Sequence, residues 1–189
     1  MARRVFFSFH YQDVIDFRAN VVRNHSVTKD DNAGYFDASI WESAKRQGDI
    51  ALKRLINSGL DNTSVTAVLI GSQTYVRRWV RYEIMKSIER GNNVIGVHIN
   101  GITDRNRQTK VMGPNPFDCL GLEISADGTR GTPTVWNGTQ WVYYQDLAGF
   151  NIAEQPWDKR SKNFQLSHWY RCYDWVANNG FDNFGIWVA

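Results

Sequence analysis

The chain has 189 residues, and 22 Lys and Arg against 19 Asp and Glu leave it a net charge of +3. That is about one domain's worth of protein, with a surplus too small to suggest a nucleic-acid partner, whose binders carry a basic stripe on one face. A hydrophobic share of 42% with 22% charged residues fits a soluble globule with a real core and disfavours disorder, and no apolar run approaches the roughly 20 residues of a membrane span.

Met1-Ala2-Arg3-Arg4 leads straight into Val5-Phe6-Phe7-Ser8-Phe9. This stretch is too short for a secretory core segment and lacks a cleavage site behind it, so a cytoplasmic address is expected. The same run, aromatic and β-branched, reads as a buried strand. Asp13 then caps a helical segment with Val14, Phe17, Val21 and Val22 at helical spacing. Residues 28–41 read as loop, with a short strand around Tyr35-Phe36. Residues 43–57 predict a second helix with Ile50, Leu52, Leu55 and Ile56 inward and Gly59 just past its end.

Ser64 to Ile70 is the clearest strand in the chain, closed by Gly71-Ser72. A third helix follows from about Gln73 to Arg90, stopping at Gly91, and Val94 to Ile99 is another apolar strand. Strand and helix alternating with short connections call for a parallel sheet covered on both faces. The loops after the strands then gather on one sheet edge, where open α/β sheets bind ligands.

Residues 100–118, with Pro114 and Pro116, read as a long loop. Short strands are expected over 119–145, with Asn137-Gly138 turning a hairpin between Thr134-Val135-Trp136 and Trp141-Val142-Tyr143. A last helix is predicted from about Ser167 to Asn178, with Trp169, Cys172, Tyr173 and Val176 on one stripe and Gly180 at its end. Aromatic residues make up 14% of the chain and crowd beyond residue 130. Such density usually builds core and less often a ligand surface. The reading is one domain over 1–189, its core at about 1–100 and 165–189, with 100–160 inserted.

Several chemistries are missing their residues. No Gly-x-x-x-x-Gly-Lys-Ser/Thr loop, no Gly-x-Gly-x-x-Gly turn and no Gly-x-Ser-x-Gly elbow occurs. Cys119 and Cys172 stand far apart, which suggests neither a disulfide framework nor a zinc site. The four histidines lack metal-ligand spacing, so no metal is expected. His98 lies inside a strand and reads as structural. His10 differs, because it follows a strand on the ligand-binding edge.

The informative segment is Ser72 to Glu83. On a helix, Val76, Val80, Ile84 and Ile88 form the sheet-facing stripe, and Tyr75, Trp79 and Glu83 form the stripe beside it. Glu83 is then either a partly desolvated carboxylate or an ordinary surface residue paired with Arg81 or Lys86. Arg77, Arg78 and Arg81 could meet a diphosphate, although a solvated basic face is the commoner explanation.

Val5-Phe6-Phe7-Ser8-Phe9-His10-Tyr11-x-Asp13 resembles the first strand and loop of TIR domains, and Trp79-x-x-x-Glu83 after Ser72 resembles their third-helix signature. More closely, the chain resembles the TIR-like ThsB family of bacterial Thoeris antiphage systems. That likeness is carried by Phe36-Asp37-Ala38-Ser39-Ile40-Trp41-Glu42, Val65-Thr66-x-Val68-Leu69-Ile70-Gly71-Ser72, Gly113-Pro114-Asn115-Pro116-Phe117-Asp118 and Tyr170-Arg171-x-Tyr173-Asp174-Trp175-Val176. It covers nearly the whole chain, with 123–160 matching only loosely.

The resemblance implies a flavodoxin-like α/β TIR fold, with a central parallel sheet flanked by helices, an aromatic-rich insertion of short strands and a C-terminal helix. It implies cleavage of the nicotinamide–ribose bond of NAD, with NAD as substrate and no cofactor. The product would be a cyclic ADP-ribose isomer made after an unidentified phage trigger, a diffusible signal to the partner effector ThsA. Glu83 is carried over as the catalytic residue. Ser8, Phe9, His10 and Tyr11, with Asp37, Ser39 and Trp41 from the second loop, are expected to bind the substrate. The chain would be a monomer at rest, with self-association open for the active state. Rival readings are simple hydrolysis to ADP-ribose, a non-catalytic TIR interaction module, and a flavin binder, the last lacking a phosphate loop after strand one.

Overall fold

A computed structural model describes residues 4–25 and 38–189. The first part of the chain runs through β1 (Val5–Phe9), α1 (Tyr11–Ile15), α2 (Arg18–Arg23), α3 (Ala38–Gln47), α4 (Asp49–Leu60), β2 (Val65–Ile70), α5 (Arg78–Glu89) and β3 (Asn93–His98). The second part carries α6 (Pro116–Cys119), β4 (Leu120–Ile124), β5 (Arg130–Trp136), β6 (Trp141–Tyr143) and β7 (Phe150–Asn151). It closes with β8 (Asn163–Gln165), β9 (Cys172–Asp174) and α7 (Gly180–Trp187).

β1, β2, β3 and β9 form a parallel four-stranded sheet in that order. All six residues of β2 are buried, as its continuous apolar run requires of a strand covered on both faces. Side chains alternate between the faces. Val5, Phe7, Ala67, Leu69 and Val97 pack with Ala19, Val22, Trp175 and Phe184. Val68, Ile70 and Val94 meet Val80, Ile84 and Met85 of α5 on the other side. That second layer is closed by Phe117, Leu120, Leu122 and Phe150 from the later part of the chain.

The insertion builds its own antiparallel sheet, ordered β6-β5-β4-β8 with β7 added to β5. The expected hairpin is present, Trp136 facing Trp141 across it. Its loop spans Asn137 to Gln140, and the Asn137 side-chain oxygen accepts from the backbone N–H groups of Thr139 and Gln140. The aromatic crowd is divided. Tyr144 and Trp175 are core, whereas Trp157 is 81% exposed.

Local expectations fail in four places. The helix expected from Asp13 breaks at Phe17, whose backbone is left-handed (φ 64°), giving α1 and α2. The break resets the helical phase, so Val21 and Phe17 face out while Arg18, Ala19 and Val22 face in. The second helix likewise splits at Gly48 (φ 97°), which turns Ile50 outward, and Gly59 lies within the last turn of α4 rather than beyond it. The third begins as a 3-10 turn over Thr74–Val76, and extended backbone at Arg77 delays α5 to Arg78. Val76 therefore leaves the buried stripe.

The helix expected over 167–178 is absent. Cys172–Asp174 is a strand instead, because the open edge of β3 supplies backbone partners that outweigh local helical spacing. Gly96 pairs with Cys172, and a side chain at Gly96 would collide with the Cys172 sulfur. Gly180 opens the last helix instead of ending one, its N–H donating to the Trp175 carbonyl at 2.7 Å. The strand read at Tyr35-Phe36 lies outside the described residues.

Candidate functional site

The carboxyl ends of β1 and β2 lie side by side, Phe9 opposite Leu69. Beside them opens a cavity of about 560 Å³, whose walls include Phe9, His10, Tyr11, Trp41, Arg77, Trp79 and Glu83. The strand–loop at the start of the chain and the Trp-x-x-x-Glu helix therefore meet at one concavity. Ligand sites in sheets of this kind sit at this edge.

Period-two alternation puts Ser8 on the α5 side of β1, opposite to Phe7. It is fully buried, and its hydroxyl donates to the Glu83 carboxylate at 2.5 Å. Glu83 itself is only 6% exposed. One turn later the Ser87 hydroxyl donates to the Glu83 carbonyl at 2.6 Å and lies 2.8 Å from the Thr66 hydroxyl of β2, so the helix is fixed to the sheet at this level. Burial pushes the Glu83 carboxyl from 4.5 up to about 8, against the opposing hydrogen bond from Ser8. The ion pair with Arg81 or Lys86 considered for a surface residue is not formed: Arg81 donates to the Tyr75 carbonyl and Lys86 pairs with Glu89.

The other expected residues separate into groups. Phe9, His10, Tyr11 and Trp41 line the cavity, with Tyr11 at 52% exposure on its rim. His10 is pushed down by burial first and by Arg77 and Lys110 second, which favours its neutral form. Ser8 is not on the wall and instead bonds the carboxylate of Glu83. Ser39 is exposed on a shallow groove between α3 and α4, away from the cavity. Asp37 lies outside the described residues. Sequence reasoning did not assign Glu42, Lys45, Arg77, Arg78 and Trp79 to the wall; the only signal for the arginines was their cluster.

Arg78 is held from a distance. Its guanidinium makes two bonds to the Asp146 carboxylate, at 2.7 and 2.8 Å, and a third at 2.7 Å to Asp49. Lys53 adds a bond to the Asp146 carbonyl at 2.9 Å. One residue of the insertion thus joins the starts of α4 and α5. The hydrogen bond from Arg78, helped by Lys53, draws the Asp146 carboxyl down to about 2.

The sequence model of the Thoeris protein ThsB TIR-like domain matches residues 6–104. The chain belongs to the ThsB TIR-like family. A relative from Bacillus cereus (strain MSX-D12), named "Putative cyclic ADP-D-ribose synthase ThsB1", is 60% identical over 191 residues, covering all of both chains. The ThsB domain match runs from β1 through β3 and so contains both Ser8 and Glu83, while the second sheet lies beyond it. The parallel sheet flanked by helices agrees with the TIR-like fold expected from sequence. Among the described residues, no helix is long and apolar enough to cross a membrane, and no group of three or more His, Cys, Asp or Glu could hold a metal ion.

Proposed function

We propose that this ThsB protein cleaves the nicotinamide–ribose bond of NAD and closes the remaining nucleotide into a cyclic ADP-ribose isomer, with Glu83 as the catalytic residue. The observation that carries the reading is a buried carboxylate on a cavity wall, braced by a strand hydroxyl. The name of the Bacillus cereus relative supports the product class. The same reading takes the product as a diffusible signal, made on phage infection, to a ThsA effector in the cytoplasm. It treats residues 1–189 as one unit, consistent with Leu147 of the insertion packing against both α5-side clusters.

The chemistry asks little of the protein. Nicotinamide leaves a pyridinium as a neutral molecule, so no general acid is needed, unlike glycosides that require a protonated leaving oxygen. What lowers the barrier is negative charge beside the developing ribose cation. Glu83 supplies it once ionised. Before substrate binds, its raised pKa keeps it largely protonated at neutral pH, and the positive charge of the bound pyridinium favours loss of that proton. Phe9, Tyr11, Trp41 and Trp79 offer aromatic faces for the nucleotide's rings. Ring closure further requires that a group of the same nucleotide reach the cation before water does. Hydrolysis to ADP-ribose is the competing outcome, and the half-exposed Tyr11 at the rim leaves a path for water.

The test is to incubate NAD with extracts of phage-infected cells expressing the chain and to separate the products by mass. Free nicotinamide with a product one water lighter than ADP-ribose is expected, and both should vanish in Glu83→Gln. ADP-ribose alone would establish hydrolysis in place of cyclisation. Turnover unchanged by Glu83→Gln would overturn the role of the carboxylate.

A further inference from the structure

Four basic side chains line the cavity: His10, Lys45, Arg77 and Arg78. Three are already committed. Arg78 already pairs with two carboxylates, Asp146 and Asp49. Lys45 pairs with Glu42 at 3.7 Å, both well exposed to solvent. His10 favours its uncharged form.

Arg77 is different. One terminal nitrogen bonds the neutral side-chain oxygen of Gln73, and the Asp13 carboxyl acts on the guanidinium through space without a hydrogen bond or ion pair to it. Its Nε is buried and has no hydrogen-bond partner among the described residues. A buried donor without an acceptor costs free energy unless something supplies one. Arg77 stands at the N-terminal boundary of the helix that carries Glu83, and both residues line this cavity.

We propose that Arg77 binds the diphosphate of the substrate and thereby sets the scissile ribose against Glu83. The inference rests on the dinucleotide reading above and deepens it. A guanidinium presents Nε and a terminal nitrogen as a fork, which matches two phosphate oxygens. The orphaned Nε becomes satisfied when phosphate enters. Arg77 thus selects for a diphosphate-bearing nucleotide over a bare nucleoside.

Binding measured by calorimetry tests this without requiring turnover, with wild type, Arg77→Gln and Arg77→Lys titrated against ADP-ribose and against nicotinamide riboside. Losing a charged hydrogen-bonding fork should weaken ADP-ribose about ten- to hundredfold in Arg77→Gln. Arg77→Lys, which keeps the charge without the fork, should fall between. Nicotinamide riboside, which lacks the diphosphate, should bind all three alike. The wild-type affinity for ADP-ribose should also fall with added salt, more steeply than that of Arg77→Gln. Equal ADP-ribose affinity in wild type and both variants would overturn the role of Arg77 and leave NAD cleavage by Glu83 standing. Wild-type protein that neither binds ADP-ribose nor cleaves NAD would overturn the dinucleotide reading itself.

Discussion

Replacing Glu83 by Gln should stabilise the protein, by an amount that depends on pH. The unfolded chain ionises this carboxyl near 4.5, whereas the folded chain holds its proton to about 8. Between those values the native state binds more protons than the unfolded state, so stability declines as pH rises. The sign is opposite to that of a salt-bridged carboxylate. At pH 7 the displacement amounts to about 3 kcal/mol, and it saturates above pH 8. Gln has no proton to lose, and its carbonyl oxygen can still accept the Ser8 hydroxyl, so the brace survives. The variant should match wild type near pH 4.5 and exceed it by about 3 kcal/mol at pH 7, or roughly 6–12 °C in Tm for a chain of this size. Urea unfolding of both proteins from about pH 5 to pH 8 reads this directly. A difference that stays flat across that range, or a Gln variant less stable at pH 7, would refute the claim that Glu83 is held protonated by burial.

Ser8→Ala removes the one interaction that lowers the Glu83 pKa. The rise of kcat/KM with pH should therefore move to higher pH, with about tenfold less turnover at pH 7; an unmoved profile would show that the Ser8 hydroxyl does not support the anion. Asp146→Ala removes the carboxylate shared by Arg78 and Lys53, leaving Arg78 its bond to Asp49 and Lys53 its bond to the backbone carbonyl at 146. Because Arg78 is half exposed, the loss should be modest, about 1 kcal/mol by denaturant titration, but NAD turnover should fall as the start of α5 loosens. Gly96→Ala should destabilise the protein by about 2 kcal/mol, since the new methyl meets the Cys172 sulfur and the Ile70 side chain. Adding Cys172→Ala should restore part of that loss in the same measurement, a coupling expected only if the two positions touch.

The parallel sheet was legible because β1, β2 and β3 are short apolar runs separated by helix-length segments, a pattern with few competing solutions. Helical spacing left Glu83 open between a desolvated and a surface carboxylate, and the likeness of Trp79-x-x-x-Glu83 to the TIR signature is what singled it out. Ser8 was found for the wrong reason: its place in the motif suggested substrate contact, while alternation within Val5–Phe9 already turns it inward. Other features depend on residues remote in sequence. Nothing local distinguishes Arg77 from Arg78, and the choice is made by Asp146, 68 positions beyond Arg78. The strand at Cys172–Asp174 exists only because β3 offers an edge. Phe17 adopts a left-handed backbone that local propensity would not choose, in a segment where Arg18 reaches the carbonyls of Ile102 and Gln108.

Two carboxylates of this chain are shifted in opposite directions by their surroundings. Asp146 touches Arg78 and Lys53, is held near 2, and remains an anion whatever enters the cavity. Glu83 is shifted by burial and by a neutral hydroxyl, with no cation contributing, and stands near 8. A lysine or arginine against Glu83 would keep it ionised, but would also oppose the positive ribose of the proposed reaction. Holding the carboxyl with Ser8 and burial leaves the place of the cation open for the substrate. On the proposed role of Glu83, the stability sacrificed by burying an acid is the physical trace of that role, and the pH-dependent gain in Glu83→Gln measures it.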